Sequence, residues 1–373
     1  GKLGDHYAGA GQSELAINAW LDAYEFQFRH GDPLRAAQWG TKITEALGKD
    51  DPRSVQCALK TSRLLLDMGE LDRAEVLLLP LQSNADVDTV LRAGEVLSDI
   101  YENRGAGQAW QALKTHLDTV ISNASPLGER AYLRMRSIYE NSYGRSRPGL
   151  ADAVRALDEA PSGEEAQRAA QRAVYCCLAM GLPRSGVPFA KRALDESGAT
   201  PQLRVRSLRA LGTVLTWLGE SEDAVARHQE ALAISRRYGL YARIPIAYHD
   251  LGDAYRLNGN GYAASQAYDV ALHQADKLAL GHTRELVRVK QVMCRLTDGD
   301  TEGVIDELKS LGPVALKAGL GLAIPFCRLL EAWAHCIDKE IQRCGQTLQL
   351  IDDLTVIAVD PQIPQIIETI GYR

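Results

Sequence analysis

The fold is decided by two copies of one pattern, Leu208-Arg209-Ala210-Leu211-Gly212 and Tyr248-His249-Asp250-Leu251-Gly252. After each copy come an aliphatic or aromatic residue, a glycine and two alanines, and every landmark recurs 40 residues later: Leu215, Gly219, Ala224 and Ala231, then Tyr255, Gly259, Ala264 and Ala271. Separate motifs would not keep a common register over so many positions. The chain therefore contains an internal repeat.

The landmarks of the repeat describe two helices joined by a tight turn. Gly212 lets the first helix approach its partner closely, and Gly219 ends that helix where a left-handed backbone conformation is tolerated. Ala224 and Ala231 lie seven residues apart on one stripe of the second helix, where a larger side chain would separate the pair. The pattern predicts an antiparallel helix pair in each repeat.

The turn glycine can be followed along most of the chain, in steps of 36, 39, 37, 38, 40 and 40 residues: Gly69, Gly105, Gly144, Gly181, Gly219, Gly259 and Gly299. This spacing predicts an all-α solenoid of helix pairs, in which each unit buries its apolar face against its neighbours. We divide the continuous solenoid into N-terminal repeats (1–50), central helix pairs (51–310) and a C-terminal helix pair with a capping tail (311–373).

Three local features are also predicted from the sequence. We expect residues 146–149 to form a loop within a repeat, and Pro183 and Pro188 to lie at the start of a helix, because proline disrupts helix interiors. The last helix pair is predicted over 324–337 and 340–357, followed by a tail whose isoleucines cap the final repeat.

Composition and charge disfavour several classes of protein. The 373 residues carry a net charge of -6 and a pI near 5.8, whereas a nucleic-acid surface needs a basic stripe. No stretch approaches the roughly 18 apolar residues of a membrane helix. Seven cysteines without a C-x-x-C pair indicate buried thiols in a reducing compartment. We expect a soluble, cytoplasmic protein that contacts neither nucleic acid nor membrane.

Motifs for catalysis and cofactors are weak or missing. Residues 259–264 match the dinucleotide pattern G-x-G-x-x-A, but they lie at the repeat's own turn rather than after a strand. The sequence contains no phosphate-binding loop, nucleophile elbow or zinc-protease motif. His335, Cys336 and Cys344 lack a fourth ligand at a suitable spacing for zinc. We therefore predict no catalytic residues, no cofactor and no metal.

The repeat resembles the tetratricopeptide family at Tyr248, Leu251, Gly252, Tyr255, Gly259, Ala264 and Ala271. Its steps of 36 to 40 residues, longer than the usual repeat of about 34, are similar to those of bacterial signal-transduction ATPases, transcription activators and repeat-bearing serine/threonine kinases. The resemblance implies a right-handed superhelix and a role in binding proteins or peptides.

In this family the first helix of each pair lines a concave surface, and the resemblance implies which positions face it. These positions give the candidate partner-binding residues Arg168, Gln171, Tyr175, Arg206, Arg209, Thr213, His249, Asp253 and Arg256, with Arg134 nearby. Acidic residues flank them at Glu95, Asp99 and Glu102. Guanidinium groups bind carboxylates and phosphates, so the predicted guest is an acidic peptide, a chain terminus or a phosphorylated segment. The alternative is that these arginines form an ordinary solvated surface.

Two functional hypotheses follow from the repeat and the absence of catalytic motifs. The first is a bacterial, non-catalytic scaffold or sensor that binds a protein or peptide in its concave groove. The second is a regulatory arm of a multidomain signalling ATPase, kinase or transcription regulator that binds a small effector or peptide. The opening Gly1-Lys2-Leu3 has no initiator Met, and we expect the chain to be a piece of a longer parent. A third hypothesis, an enzyme, has no motif to support it.

Overall fold

The computed structural model describes residues 1–29, 32–198, 200–351 and 360–371, and these contain twenty α-helices and no strand. The helices are α1 Lys2–Gly9, α2 Ser13–Arg29, α3 Pro33–Ala46, α4 Pro52–Met68, α5 Leu71–Leu78, α6 Val87–Arg104, α7 Gly107–Val120, α8 Pro126–Ser142, α9 Ser146–Asp158, α10 Glu164–Ala179, α11 Pro183–Glu196, α12 Pro201–Leu218, α13 Ser221–Arg237, α14 Arg243–Leu257, α15 Gly261–Lys277, α16 Gly281–Thr297, α17 Val304–Lys317, α18 Ala323–Ile337, α19 Ile341–Leu348 and α20 Ile363–Thr369. Short 3₁₀ helices over Leu79–Ser83 and Ile121–Asn123 extend two of the second helices.

The turn between the two helices of a pair forms as the glycine pattern predicts. All seven predicted turn glycines have a left-handed backbone, with φ between 69° and 87°. At Gly69, Gly105 and Gly219 this residue caps the helix end, and its N–H satisfies a carbonyl of the last helical turn. An L side chain is disfavoured in this conformation, which explains why glycine recurs at these positions.

Close packing within each pair depends on small residues, as the sequence predicts. A Cβ atom added to Gly212 would lie 2.6 Å from the ring of His228, and one added to Gly252 would lie 2.4 Å from the ring of Tyr268. The four alanines at 224, 231, 264 and 271 are fully buried. In both pairs, an aromatic ring from the second helix thus fills the space beside the glycine of the first helix.

Two local predictions were wrong. Residues 146–149 are not a loop, because α9 begins at Ser146 and includes all four residues. Pro183 begins α11 as predicted, but Pro188 lies inside that helix. Pro188 lies at an exposed position of this second helix, where the loss of one backbone N–H is tolerated. The sequence pattern did not reveal this exposure.

The solenoid closes one superhelical turn, so that residues far apart in sequence meet. The N–H of Ala242 donates to the carbonyl of Asp67 at 3.1 Å, and that of Gly321 donates to Ser142 at 2.9 Å. Between these two contacts, Gly281 lies against the backbone of Arg104. The three contacts join residues 175, 179 and 177 positions apart. Successive turns therefore touch along the whole middle of the chain.

The C-terminal segment caps the last described repeats. Ile363 and Ile366 of α20 are buried in one cluster with residues of α16 and α18, among them Val289 and Phe326. The second helix predicted over 340–357 is observed as α19, which ends at Leu348, so the prediction was too long over 349–351; residues 352–359 lie outside the described part of the chain. Among the described residues, no helix is both long and apolar enough to span a membrane.

Candidate functional site

A cavity of about 400 Å³ lies on the superhelical axis. Its wall is built from the first helices of seven successive pairs, α6, α8, α10, α12, α14, α16 and α18, together with the loop before α18. None of the second helices contributes to this wall among the described residues. The inner helices of the solenoid therefore surround a space that is partly open to solvent, which we call the axial cavity.

The ten predicted partner-binding residues all lie on inner helices, but only some of them reach the axial cavity. Seven line it: Gln171, Tyr175, Arg206, Arg209, Thr213, His249 and Asp253. The other three, Arg134, Arg168 and Arg256, lie outside the cavity wall and are buried. Partner binding by these residues remains a prediction.

The five predicted arginines are buried, and each of them pairs with an acidic side chain. The pairs are Arg134 with Glu95 (2.8 Å), Arg168 with Glu164 (3.0 Å), Arg206 with Asp67 (2.9 Å), Arg209 with Asp250 (2.6 Å) and Arg256 with Asp360 (2.6 Å). The inner surface therefore carries an internally neutralised network of charges.

Asp67 is the centre of the part of this network that joins two superhelical turns. Its Oδ1 accepts hydrogen bonds from Arg206 Nη2 at 2.9 Å and from Arg243 Nε at 2.7 Å. Burial alone would raise the pKa of Asp67, but the two guanidinium groups outweigh it and hold the pKa below its usual value. The carboxylate is thus charged in the folded protein.

Several polar atoms of residues that line the axial cavity have no hydrogen-bond partner within the described part of the chain. They are Asp99 Oδ2, Asn141 Oδ1, the hydroxyl of Tyr175 and Nε2 of His249. Buried polar groups are usually paired with protein, ordered water or a ligand. Their gathering around one cavity indicates that the cavity is made to hold a polar guest or solvent.

Glu102 differs from the other acids of the inner surface. It lines the axial cavity, and its carboxyl forms no hydrogen bond or ion pair with any described residue. Burial raises the pKa of Glu102 to about 7, against the opposing effect of Arg172 and with a further increase from Asp99. This carboxyl therefore changes its charge near neutral pH.

Substitution of Glu102 by Gln should stabilise the fold at high pH only. Because the pKa is raised in the folded state, the wild type loses stability as pH rises through about 7, whereas the uncharged amide does not. We expect the Glu102→Gln variant to be more stable by about 1–2 kcal/mol at pH 8, since water in the cavity reduces the full effect, and equally stable near pH 4.5. Urea unfolding at both pH values measures this difference.

The control for this prediction is Glu302→Gln, which changes an exposed glutamate in the turn before α17. It should show no comparable gain in stability as pH rises. An equal effect of both substitutions would contradict the role of burial at Glu102.

Other residues of the cavity wall were not predicted. Four of them occupy register positions that supplied predicted residues in other repeats: Ile138 and Asn141 before Gly144, and Leu286 and Val289 before Gly299. Applying the same spacing to these two helices would have found them. Arg172, Arg243 and Lys290 occupy other register positions, so their place on the wall depends on how the helices rotate about the axis.

The architecture and cavity define the chain as a tetratricopeptide-like α-solenoid with an axial cavity lined by its inner helices. No protein-family model matches the sequence, and no curated protein matches it either. Structural comparison finds a Rap protein complexed with Competence and Sporulation Factor, with a TM-score of 0.60, 14% identity and coverage of 85% of this chain and 94% of that chain. A monomeric mutant of IFIT1 with m7Gppp-AAAA gives a TM-score of 0.54, 12% identity and coverage of 95% and 78%. At these identities the likeness establishes the fold alone.

Proposed function

We propose that the chain is a non-catalytic sensor or scaffold that binds a short peptide in the axial cavity. The observation that carries this proposal is the cavity itself, which combines unpartnered polar atoms with a partly apolar wall. Its volume of about 400 Å³ lies within the usual range of small-ligand sites, about 300–1,000 Å³. That size suits a few residues of an extended chain and is too small for a folded partner.

The wall can hold both the backbone and the side chains of a peptide. Large apolar side chains line it at Ile138, Trp217, Ile246, Leu286 and Phe326. Between them lie the charged and hydrogen-bonding groups of the inner helices. A mostly apolar surface with a few placed polar groups is typical of ligand sites, because the apolar part supplies affinity and the polar groups fix orientation.

The charges of the wall favour a ligand that carries both signs. Arg172, Arg206 and Arg209 bring positive charge to the cavity, but Asp99, Asp67 and Asp250 neutralise them at 2.5–2.9 Å. An extended polyanion would find no uncompensated basic surface here. A peptide with charged termini can exchange hydrogen bonds with both members of these pairs. This pairing changes the ligand that we propose from an acidic peptide to a zwitterionic one.

The two proteins of similar fold hold different ligands, a sporulation factor in the Rap complex and m7Gppp-AAAA in the IFIT1 complex. A shared fold therefore does not select the ligand, and the chemistry of the site must do so. The balanced charges and apolar wall of this cavity support a peptide. They also support a sensor as the role of the chain, because a ligand in a cavity lined by seven inner helices can contact several repeats together.

A substitution that fills the cavity should abolish peptide binding. Thr213 lines the cavity, and its hydroxyl donates to the carbonyl of Arg209 at 2.9 Å. We expect the Thr213→Phe variant to retain no member of a randomised tripeptide library that the wild type retains. The measurement is mass spectrometry of peptides that co-elute with the protein in size-exclusion chromatography.

The chain offers a matched control at Thr115. This exposed threonine of α7 makes the same type of bond, to the carbonyl of Gln111 at 3.0 Å, but it lies away from the cavity. The Thr115→Phe variant should retain the same tripeptides as the wild type. Binding that survives Thr213→Phe, or a wild type that retains no peptide, would contradict the proposed function.

A further inference from the structure

Two residues of opposite charge line the axial cavity without contacting each other. Glu102 on α6 and Arg209 on α12 both line the cavity, and no hydrogen bond or ion pair joins them. They are nevertheless close enough to interact. Burial alone would lower the pKa of Arg209, but Asp250 raises it, with further increases from Tyr175 and from Glu102.

The side of the cavity around Glu102 offers acceptors that lack donors. Glu102 and Asn141 lie three residues before the turn glycines of neighbouring inner helices, so they occupy equivalent places on α6 and α8. Asp99 lies one helical turn before Glu102, and it is 3% exposed. Neither Asp99 Oδ2 nor Asn141 Oδ1 receives a hydrogen bond from a described residue. An ammonium group has three donors and no acceptor, which matches this set.

The side around Arg209 offers donors. Arg209 gives its Nε–H to Asp250, and no described residue accepts from its two Nη atoms. The hydroxyl of Tyr175 lies on the same wall without a hydrogen-bond partner, whereas Nε2 of His249 lies 3.7 Å from a carboxylate oxygen of Asp253. A guanidinium fork with a free edge and a neighbouring hydroxyl is a common recognition pattern for a carboxylate.

We propose that the axial cavity recognises both termini of one short peptide, with the ammonium group at Glu102, Asp99 and Asn141 and the carboxylate at Arg209 and Tyr175. This inference rests on the proposed peptide-binding function and deepens it. It defines the ligand as a free peptide rather than as an internal segment of a longer chain, because an internal segment carries neither terminal charge.

The positive groups near Glu102 do not prevent an ammonium group from binding there. Arg172 from α10 pairs with Asp99 Oδ1 at 2.5 Å. Arg206 from α12 and Arg243 from α14 both pair with Asp67. The other charged or titratable groups of the wall are Tyr175 and Cys176 on α10, Arg209 on α12, Asp250, Asp253 and His249 on α14, and His282 and Lys290 on α16. Asp99 and Asp67 together oppose most of the positive charge of Arg172, Arg206 and Arg243, and Glu102 has no hydrogen bond or ion pair of its own with a described residue.

The test compares three forms of one randomised tripeptide library on the full chain: unmodified, N-acetylated and C-amidated. Affinity is measured by competition against one fluorescent tripeptide chosen from the unmodified library. We expect each modified form to bind about tenfold more weakly, because each leaves a buried charged group of the wall unpaired. In the Glu102→Gln variant the penalty for N-acetylation should disappear, while the penalty for C-amidation should remain.

Loss of the N-acetylation penalty alone in Glu102→Gln distinguishes recognition of the ammonium group from general damage to the fold. The control variant Glu302→Gln should keep the penalties for both N-acetylation and C-amidation. Equal binding of all three libraries to the wild type would overturn the assignment of the termini but leave a peptide site in the cavity. A penalty for N-acetylation that persists in Glu102→Gln would overturn the ammonium site. Binding of no library in any form would overturn the inference together with the proposed function.

Discussion

Replacement of Asp67 by Asn is expected to lower the free energy of unfolding by about 3–5 kcal/mol. Asp67 is 2% exposed, and its Oδ1 accepts hydrogen bonds from both Arg206 and Arg243. Asparagine keeps the shape of the side chain but leaves two buried guanidinium groups without a counter-charge. Both arginines come from the next superhelical turn, so the loss should loosen the contact between turns. Urea unfolding followed by circular dichroism measures the effect.

The control is Asp72→Asn, which removes an aspartate that also pairs with an arginine, Arg104, at 2.8 Å. The carboxylate of Asp72 is 96% exposed, so its substitution should change stability little. The wild type should also lose stability in acid as Asp67 takes up a proton, because its pKa is lowered in the folded state. Equal midpoints for the two variants would contradict the role of the buried pair.

Replacement of Gly281 by Ala is expected to cost about 2–3 kcal/mol. The added Cβ would lie 2.4 Å from the carbonyl oxygen of Arg104, which belongs to the neighbouring superhelical turn. No side-chain rotation relieves this contact, because the obstructing atom is backbone. The two turns must separate there, and the packing of Leu280 against residues of α6 would be lost with them. Thermal unfolding of the two proteins measures the difference.

Gly261 provides a closely matched control, since it is the first residue of α15 as Gly281 is of α16. A Cβ at Gly261 would meet no atom closer than 3.7 Å, so Gly261→Ala should leave stability almost unchanged. If Gly281→Ala were equally harmless, the turns of the solenoid would not be in the contact described here.

The repeat could be read from the sequence because its landmarks have local causes. A left-handed turn favours glycine, although Lys339 after α18 also adopts this conformation, and the close approach of two helices requires Gly212 and Gly252. Because the turn recurs from pair to pair, it leaves a periodic trace in the sequence. The same register places residues such as Tyr175 and Thr213 on the inner helices, where the structure has them.

The pairing of charges could not be predicted in this way. Asp67 accepts hydrogen bonds from Arg206 and Arg243, which lie 139 and 176 residues further along the chain. Such contacts depend on how many repeats complete one superhelical turn, and that number follows from a small rotation per repeat that repeat length does not determine. For this reason the arginines were predicted as a basic groove, whereas the structure shows them paired with acids of other helices.

The way in which the inner helices surround the axial cavity could not be predicted for the same reason. Its wall combines α6 with α16, which become neighbours only when the solenoid closes. Within single repeats, Glu102 is one acidic residue among many and gives no signal of its own. Its unpartnered carboxyl becomes visible only when the contacts of seven inner helices are known together.

Hydrogen–deuterium exchange of the wild type, with and without a tripeptide selected from the library, shows where the peptide binds. We expect the ligand to slow exchange in the inner helices of the cavity wall, chiefly α6, α10, α12 and α14, and to leave exchange in the second helices α7, α11 and α13 unchanged. Slower exchange in the second helices, with the inner helices unaffected, would place binding on the outer surface and contradict the axial site.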